Sequence, residues 1–371
     1  MALTLILDEP PNVKLLWGDN AESGAEEGKI VNIGAGFTIP QDKVHLDDCF
    51  PWFEAPRIHA PDDRHKGDNS GDISEKLHAA LAFQGIAANW RMIHRAMRFY
   101  RTNQPNRLSE QLKSFWDVNI GETQSLDETL YAFLLSFLGT NGERWLGPLG
   151  RIFQQAHRAN ETEYSRLVSH FESVRLDRFE AYADILSEYF NGFTEFNQTL
   201  DYVLGELEMP IDAVATSSDF DTTRMYYGNA FELLGSSLDL PASMNNILSG
   251  RKFDELKTIS LSKFRTLNKA NRVGAFADNG DLSRLVKEYD SAIRNASHHR
   301  WFRINEGHTK ITYRSGGTGS IRTISYAEYL LRCNKITIQI ALLACWELLL
   351  LSTSGISLYG SPQVDRAGES P

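Results

Sequence analysis

Cysteine is scarce in this chain of 371 residues: three occur, at positions 49, 333 and 345. They form no CxxC pair and no even framework, which argues against a disulfide scaffold and against a zinc site, so a reducing cytoplasm is the expected setting. Cys345 lies in an apolar run and reads as a buried thiol. The first eight residues lack a basic n-region, and Asp8 interrupts their short apolar stretch, so no signal peptide is expected. The most apolar stretch, residues 336–351, is shorter than a span of about 20 residues and holds Gln339 and Glu347, so a buried core helix is expected rather than a membrane span. No repeat of about 20–50 residues is visible. Phosphate loops are missing too. Gly34-Ala35-Gly36 lacks the third glycine of a dinucleotide fingerprint, and the run 315–319 is followed by no Lys-Ser/Thr. No metal or cofactor is expected, because no His/Cys/Asp/Glu cluster with ligand spacing is evident.

Positive charge is in deficit overall, with a formal net of −10. The average conceals an asymmetry. Residues 251–335 carry 17 Lys and Arg against 8 Asp and Glu, and the remainder carries 21 against 40. One basic region on an acidic chain holds a polyanion locally while the rest repels it.

What is present is mostly helical pattern. Residues 1–72 read as an irregular segment with short strands near 3–7, 14–17 and 29–33, separated by Pro-Pro and Gly/Asp/Glu turns. From Ile73 the period changes: Leu77, Leu81, Ile86, Trp90, Ile93 and Met97 form a stripe near the helical repeat. Further helices are expected at 107–117, 125–138, 143–159, 161–191 and 194–206, and Met209-Pro210 marks a boundary that closes a helical module over 73–210. A second block over 211–354 should begin near Thr222. It continues with a short piece after Pro241, a helix over 252–270, and a helix over 282–298 capped by Asp281. Alternating stretches at 308–313 and 320–324 then predict a hairpin, and a long helix over 326–351 predicts a core element. Residues 355–371 read as a flexible tail. The expected class is mainly α with a small β-hairpin insertion.

The chemistry-bearing constellation is Arg294-Asn295-Ala296-Ser297-His298-His299. Asn295 and His299 are four apart, so they share a helix face about 40° apart around the axis. Asn295 is expected to hold the imidazole in one tautomer while Arg294 supplies fixed positive charge. Those parts suit metal-free RNA cleavage. Histidine handles the proton as the ribose 2′-hydroxyl attacks the adjacent phosphate, and arginine offsets the charge that builds on phosphorus. The expected product is a cyclic 2′,3′-phosphate. Arg294, Asn295 and His299 are the candidate catalytic residues; His298, Arg300, Arg303, Lys310, Arg314 and Arg322 are the candidate RNA-binding residues.

The Arg-x4-His spacing, with a polar residue after the Arg, resembles the active-site motif of HEPN domains over roughly the last 100 to 130 residues. The resemblance implies an all-α, often homodimeric ribonuclease bundle over 211–354. It also implies a role in phage defence or as a toxin, with RNA as substrate and a regulatory protein or antitoxin as partner. The hairpin departs from the pattern and reads as an insertion. In HEPN toxins modified by nucleotide addition a Tyr stands two residues past the His; here Trp301 stands there. Rival readings are a non-catalytic RNA- or nucleotide-binding module and an all-α interaction protein with an incidental motif.

Among weaker signals, Arg91, Arg95, Arg98 and Arg101 make a basic stripe beside His94, read as a solvated helix face. Asp219 and Asp221 flank Phe220 and read as N-terminal capping acids.

Overall fold

The computed structural model describes residues 85–119, 125–314 and 319–359, together with the backbone of three short strands nearer the N-terminus. Those strands are β1 (Thr4–Leu7), β2 (Val13–Leu16) and β3 (Ile39–Pro40). β1 and β2 pair antiparallel, close to the two expected there. The third expectation, near 29–33, lies outside the described residues, as do Leu77, Leu81 and Cys49.

The described chain is mainly helical, with a small antiparallel sheet. Helices α1 (Ile86–Arg101), α2 (Pro105–Asn119), α3 (Leu126–Phe137), α4 (Gly142–Ala159) and α5 (Glu161–Asn191) follow the apolar periodicity closely. Ser125 and Glu128 form a reciprocal capping box on α3, and Asn160 accepts from Glu163 N–H to open α5. Such caps satisfy backbone donors that a helix start otherwise leaves unpaired.

Three expected helices are broken. The segment 194–206 is α6 (Phe193–Phe196), a 3-10 turn (Asn197–Thr199) and α7 (Leu200–Leu204). The segment 252–270 is not one helix: Phe253 N–H donates to Glu163 at 3.0 Å and Leu261 N–H to the Asp254 carbonyl at 2.8 Å, so the chain loops before Ser260 caps α11 (Leu261–Thr266). The segment 282–298 splits into a 3-10 turn (Leu282–Val286) and α12 (Ser291–His298). Asp290, not Asp281, makes the side-chain cap: its Oδ1 accepts from Ala292 N–H at 2.7 Å and Ile293 N–H at 3.3 Å. In the last two segments side chains captured backbone donors, which apolar spacing does not report. Asp219 does cap α8 (Phe220–Thr223), as expected. After α8 come α9 (Tyr226–Ser237) and α10 (Asp239–Leu248).

The last helix, α13 (Tyr326–Thr353), organises the core. It packs against α3, α4, α5, α6, α7 and α9. At 28 residues it is longer than its apolar stretch suggested, and long and apolar enough to cross a membrane. The expectation of a span too short therefore fails on length; what holds is the expectation of burial, with 83% of its most apolar window inside the protein. Its polar residues are matched inside the core. Arg178 holds Glu347 through Nε at 2.5 Å and Nη2 at 2.9 Å, and reaches Asp239 on α10 through Nη1 at 2.9 Å. Tyr189 donates to Asn334 at 2.7 Å, and Gln339 accepts from Glu288 N–H at 3.2 Å. Cys333 and Cys345 are buried, and burial pushes both thiols up.

One hydrophobic core contains residues from both sides of Pro210, so no break in packing accompanies that boundary. β3 also pairs with β4 (Ala213–Val214) just beyond it. Of the tail expected over 355–371, residues 360–371 lie outside the described residues and 357–359 are held to the fold. Leu358 and Tyr359 are buried, and Asp127 accepts from Ser357 Oγ, Leu358 N–H and Tyr359 N–H.

Candidate functional site

α12 lies against α9 through Ile293, Ala296 and Ser297, all buried. The approach is close because position 228 has no side chain: a Cβ there would stand 2.4 Å from His298 Cδ2 and 2.8 Å from Ser297 Oγ. Ser297 uses the gap, donating to the Arg224 carbonyl at 2.8 Å and accepting from Gly228 N–H at 3.3 Å. His298 covers Gly228, half-buried, with a buried Nε2 that has no hydrogen-bond partner among the described residues.

Arg294 is the more constrained of the two motif residues. Its Nε donates to Glu232 Oε1 at 2.6 Å, Nη2 joins the same oxygen, and Nη1 donates to Asn295 Oδ1 at 2.8 Å. Glu232, on α9, also takes Lys269 Nζ at 2.5 Å. Burial pushes the Glu232 carboxyl up, but hydrogen bonds from Lys269 and Arg294 outweigh it and hold it below the usual range. Neither Glu232 nor Lys269 was singled out in the sequence, because nothing local to 294–299 points to them.

The expected Asn295–imidazole contact is not formed. Asn295 turns its oxygen to Arg294, and His299 lies past the helix as its C-cap. There the chain reverses: Arg300 N–H donates to the Ser297 carbonyl at 3.1 Å and Trp301 N–H to the Ala296 carbonyl at 2.9 Å. That pair of bonds makes a Schellman turn, with Arg300 in the left-handed region at φ 55. The turn folds Trp301 back beside His299, and the two rings stack with centroids 4.7 Å apart at 29°. His299 is exposed, and no described residue hydrogen-bonds either ring nitrogen.

Beyond the turn, Phe302 is buried against Tyr313 and Tyr329 and the chain enters a three-stranded sheet. Its strands are β5 (Arg303–Ile304), β6 (Lys310–Arg314) and β7 (Ile321–Ser325), with β6 central. The expected hairpin is thus present with one strand more. β6 alternates exposed and buried, so Lys310, Thr312 and Arg314 share the outer face. Arg303 pairs with Thr312 and belongs to that face. Arg322 pairs with buried Tyr313, on the opposite face, though it stays exposed on the edge strand. Arg300, Arg303, Lys310, Arg314 and Arg322 are all exposed and none makes an ion pair among the described residues. The tertiary structure therefore puts Arg303, Lys310 and Arg314 on one face of the sheet, with Arg300 in the turn between His299 and β5, and sets Arg294 back against Glu232.

Among the described residues no group of three or more His, Cys, Asp or Glu is placed to hold a metal ion. Comparison with protein-family models, with curated proteins and with solved structures returned no match.

Proposed function

We propose that this chain binds RNA on the outer face of the β5–β6–β7 sheet and cleaves it without a metal at the end of α12. The observation that carries the reading is the sheet face of Arg303, Lys310 and Arg314, with Arg300 in the turn that joins it to His299: none of these cations is ion-paired among the described residues, and no described residue hydrogen-bonds the His299 ring nitrogens. Unpaired cations on an acidic protein are the footprint of a polyanion ligand. In the proposed step the 2′-oxygen bonds to phosphorus, the 5′-oxygen leaves, and His299 transfers a proton at one of those oxygens. Arg294 offsets charge on the non-bridging oxygens from its Glu232-bound position or after swinging free. A second histidine from another copy would serve the other oxygen, which is why we propose a homodimer. The motif's resemblance to HEPN domains supports a role in phage defence or as a toxin held by a partner protein, acting in the cytoplasm.

Wild-type protein should degrade RNA in excess EDTA, and His299→Ala should lose about 10²–10⁴-fold of that activity while remaining folded. Arg294→Ala should lose it too, and His298→Ala should retain a substantial fraction. An inactive His298→Ala beside an active His299→Ala would overturn the assignment. So would activity lost in chelator and restored by one metal.

One observation favours a second reading. Glu232 already neutralises Arg294, which suits a module that binds RNA without cleaving it. RNA retention without degradation by the wild type would select that reading.

A further inference from the structure

We infer that the His299–Trp301 ring pair is a stacking platform for one unpaired nucleobase, so that the site takes single-stranded RNA and excludes the duplex. The inference rests on the reading that this face binds RNA.

Three features of the turn lead to it. First, the pair is built rather than incidental: two backbone hydrogen bonds close the turn and hold Trp301 against His299, with Arg300 in a conformation that L residues rarely adopt. Backbone conformations of that sort persist only where the surroundings impose them. Second, the stack engages His299 by a ring face. Its two nitrogens lie in the ring plane, at the edge, where no described residue occupies them. A base continuing the stack would meet the exposed side of the imidazole and leave both nitrogens for proton transfer. Third, the platform adjoins the basic face. Buried Phe302 alone separates Trp301 from Arg303, the first residue of β5, so the basic face begins two residues beyond the ring pair. From Arg303 the face continues across β6 through Lys310 and Arg314.

Together these supply what unpaired nucleic acid needs: cations that follow phosphates, and an aromatic surface for a base. Every base offers a π-face, so such a platform reads single-strandedness rather than sequence. In A-form duplex RNA both faces of an internal base are already stacked within the helix, and a protein ring cannot reach them.

The test uses a short single-stranded oligonucleotide with 2′-O-methyl groups throughout, which cannot undergo 2′-hydroxyl attack, and the same strand annealed to its complement. Affinity is measured over a range of salt, and cleavage of unmodified RNA is followed separately. Wild type should prefer the single strand. Trp301→Ala and Trp301→Leu should each weaken single-strand binding about 5- to 150-fold, the worth of one stacked base. Trp301→Phe should keep most of the affinity. Leucine retains apolar contact without a π-face, so it separates stacking from simple packing. The salt slope should stay that of wild type, because the phosphate contacts remain. Equal affinity for duplex and single strand would overturn the inference, as would Trp301→Leu binding like wild type. A change in molecular mass on Trp301→Leu with RNA affinity unaltered would also overturn it, and would make the rings a contact between chains. Failure of the cleavage reading would look different: single-strand binding sensitive to Trp301, with unmodified RNA left intact.

Discussion

At the scale of the residue, Arg300 has two opposed effects. Its left-handed backbone closes the turn after α12, where glycine would sit without strain, as Gly355 does after α13 and Gly250 after α10. Relief of that strain, offset by the greater freedom of an unfolded glycine, should leave Arg300→Gly more stable by up to about 1 kcal/mol. The same change removes a cation from the basic face. Thermal melting should therefore rise while RNA affinity falls; a variant that loses both would show that the side chain supports the fold. His170 is a second residue with a readable effect. Its Nε2 lies 2.8 Å from Arg265 Nη2, which can only donate, so the ring accepts there and must be unprotonated at that nitrogen. Burial first, and then Arg265, lower its pKa. With the folded value below the unfolded one near 6.5, the stabilising contribution is complete above pH 6.5 and declines as pH falls from there. His94, lowered by burial and by Arg101, contributes with the same sign. Melting temperature should drop between about pH 7 and 5, and His170→Gln, which keeps an acceptor but does not titrate, should flatten part of that slope. An unchanged slope would count against the Arg265 contact.

At the scale of the element, the α9–α12 crossing depends on Gly228. A Cβ there would stand 2.4 Å from the His298 ring and 2.8 Å from Ser297 Oγ, and Ser297 is buried and held by two hydrogen bonds. Gly228→Ala should cost about 1–3 kcal/mol, the usual range for overpacking, and should displace α12. Because α12 carries Arg294, whose partner Glu232 is on α9, cleavage should fall further than stability alone explains. The paired measurement is a denaturation curve beside a rate taken well below the melting temperature. A variant as stable as wild type would show that the helices separate freely. His298→Ala offers a cross-check, since it empties the space over Gly228 and should make Gly228→Ala less costly in the double variant.

At the scale of the whole molecule, the proposed chemistry asks for two proton-handling groups and one α12 supplies one exposed imidazole. Two copies facing across a groove would bring two His299 rings and two basic sheets together, against the repulsion between like charges. Light scattering should give a dimer mass, and because a shared site needs both His299 rings, mixing wild type with excess inactive His299→Ala should lower the activity per wild-type chain if the site is shared. A monomer fully active at nanomolar concentration would exclude a shared site. The long helix α13 sets the frame on which any such assembly is built. It reaches α3 to α5 on one part of the chain and α9 on another, so that helices on both sides of Pro210 are packed on one element.

Apolar periodicity alone was enough to determine α1 to α5, the mainly helical class, the β6–β7 hairpin though not β5, and the buried final helix, because burial of a stripe or a face leaves its period in the residues themselves. Composition likewise marked the basic region around Arg300, Arg303, Lys310 and Arg314. Three things were decided only in the tertiary structure. The segments 252–270 and 282–298 broke where Glu163, Asp290 and Ser260 captured backbone donors, one of them from 90 residues away. Arg294 found Glu232, which is 62 residues distant and carries no local signal. Asn295 turned its oxygen to Arg294 and His299 stacked on Trp301, because a six-residue turn from Ala296 to Trp301 closed by backbone hydrogen bonds, and such bonds depend on chain geometry rather than on which side chains are present.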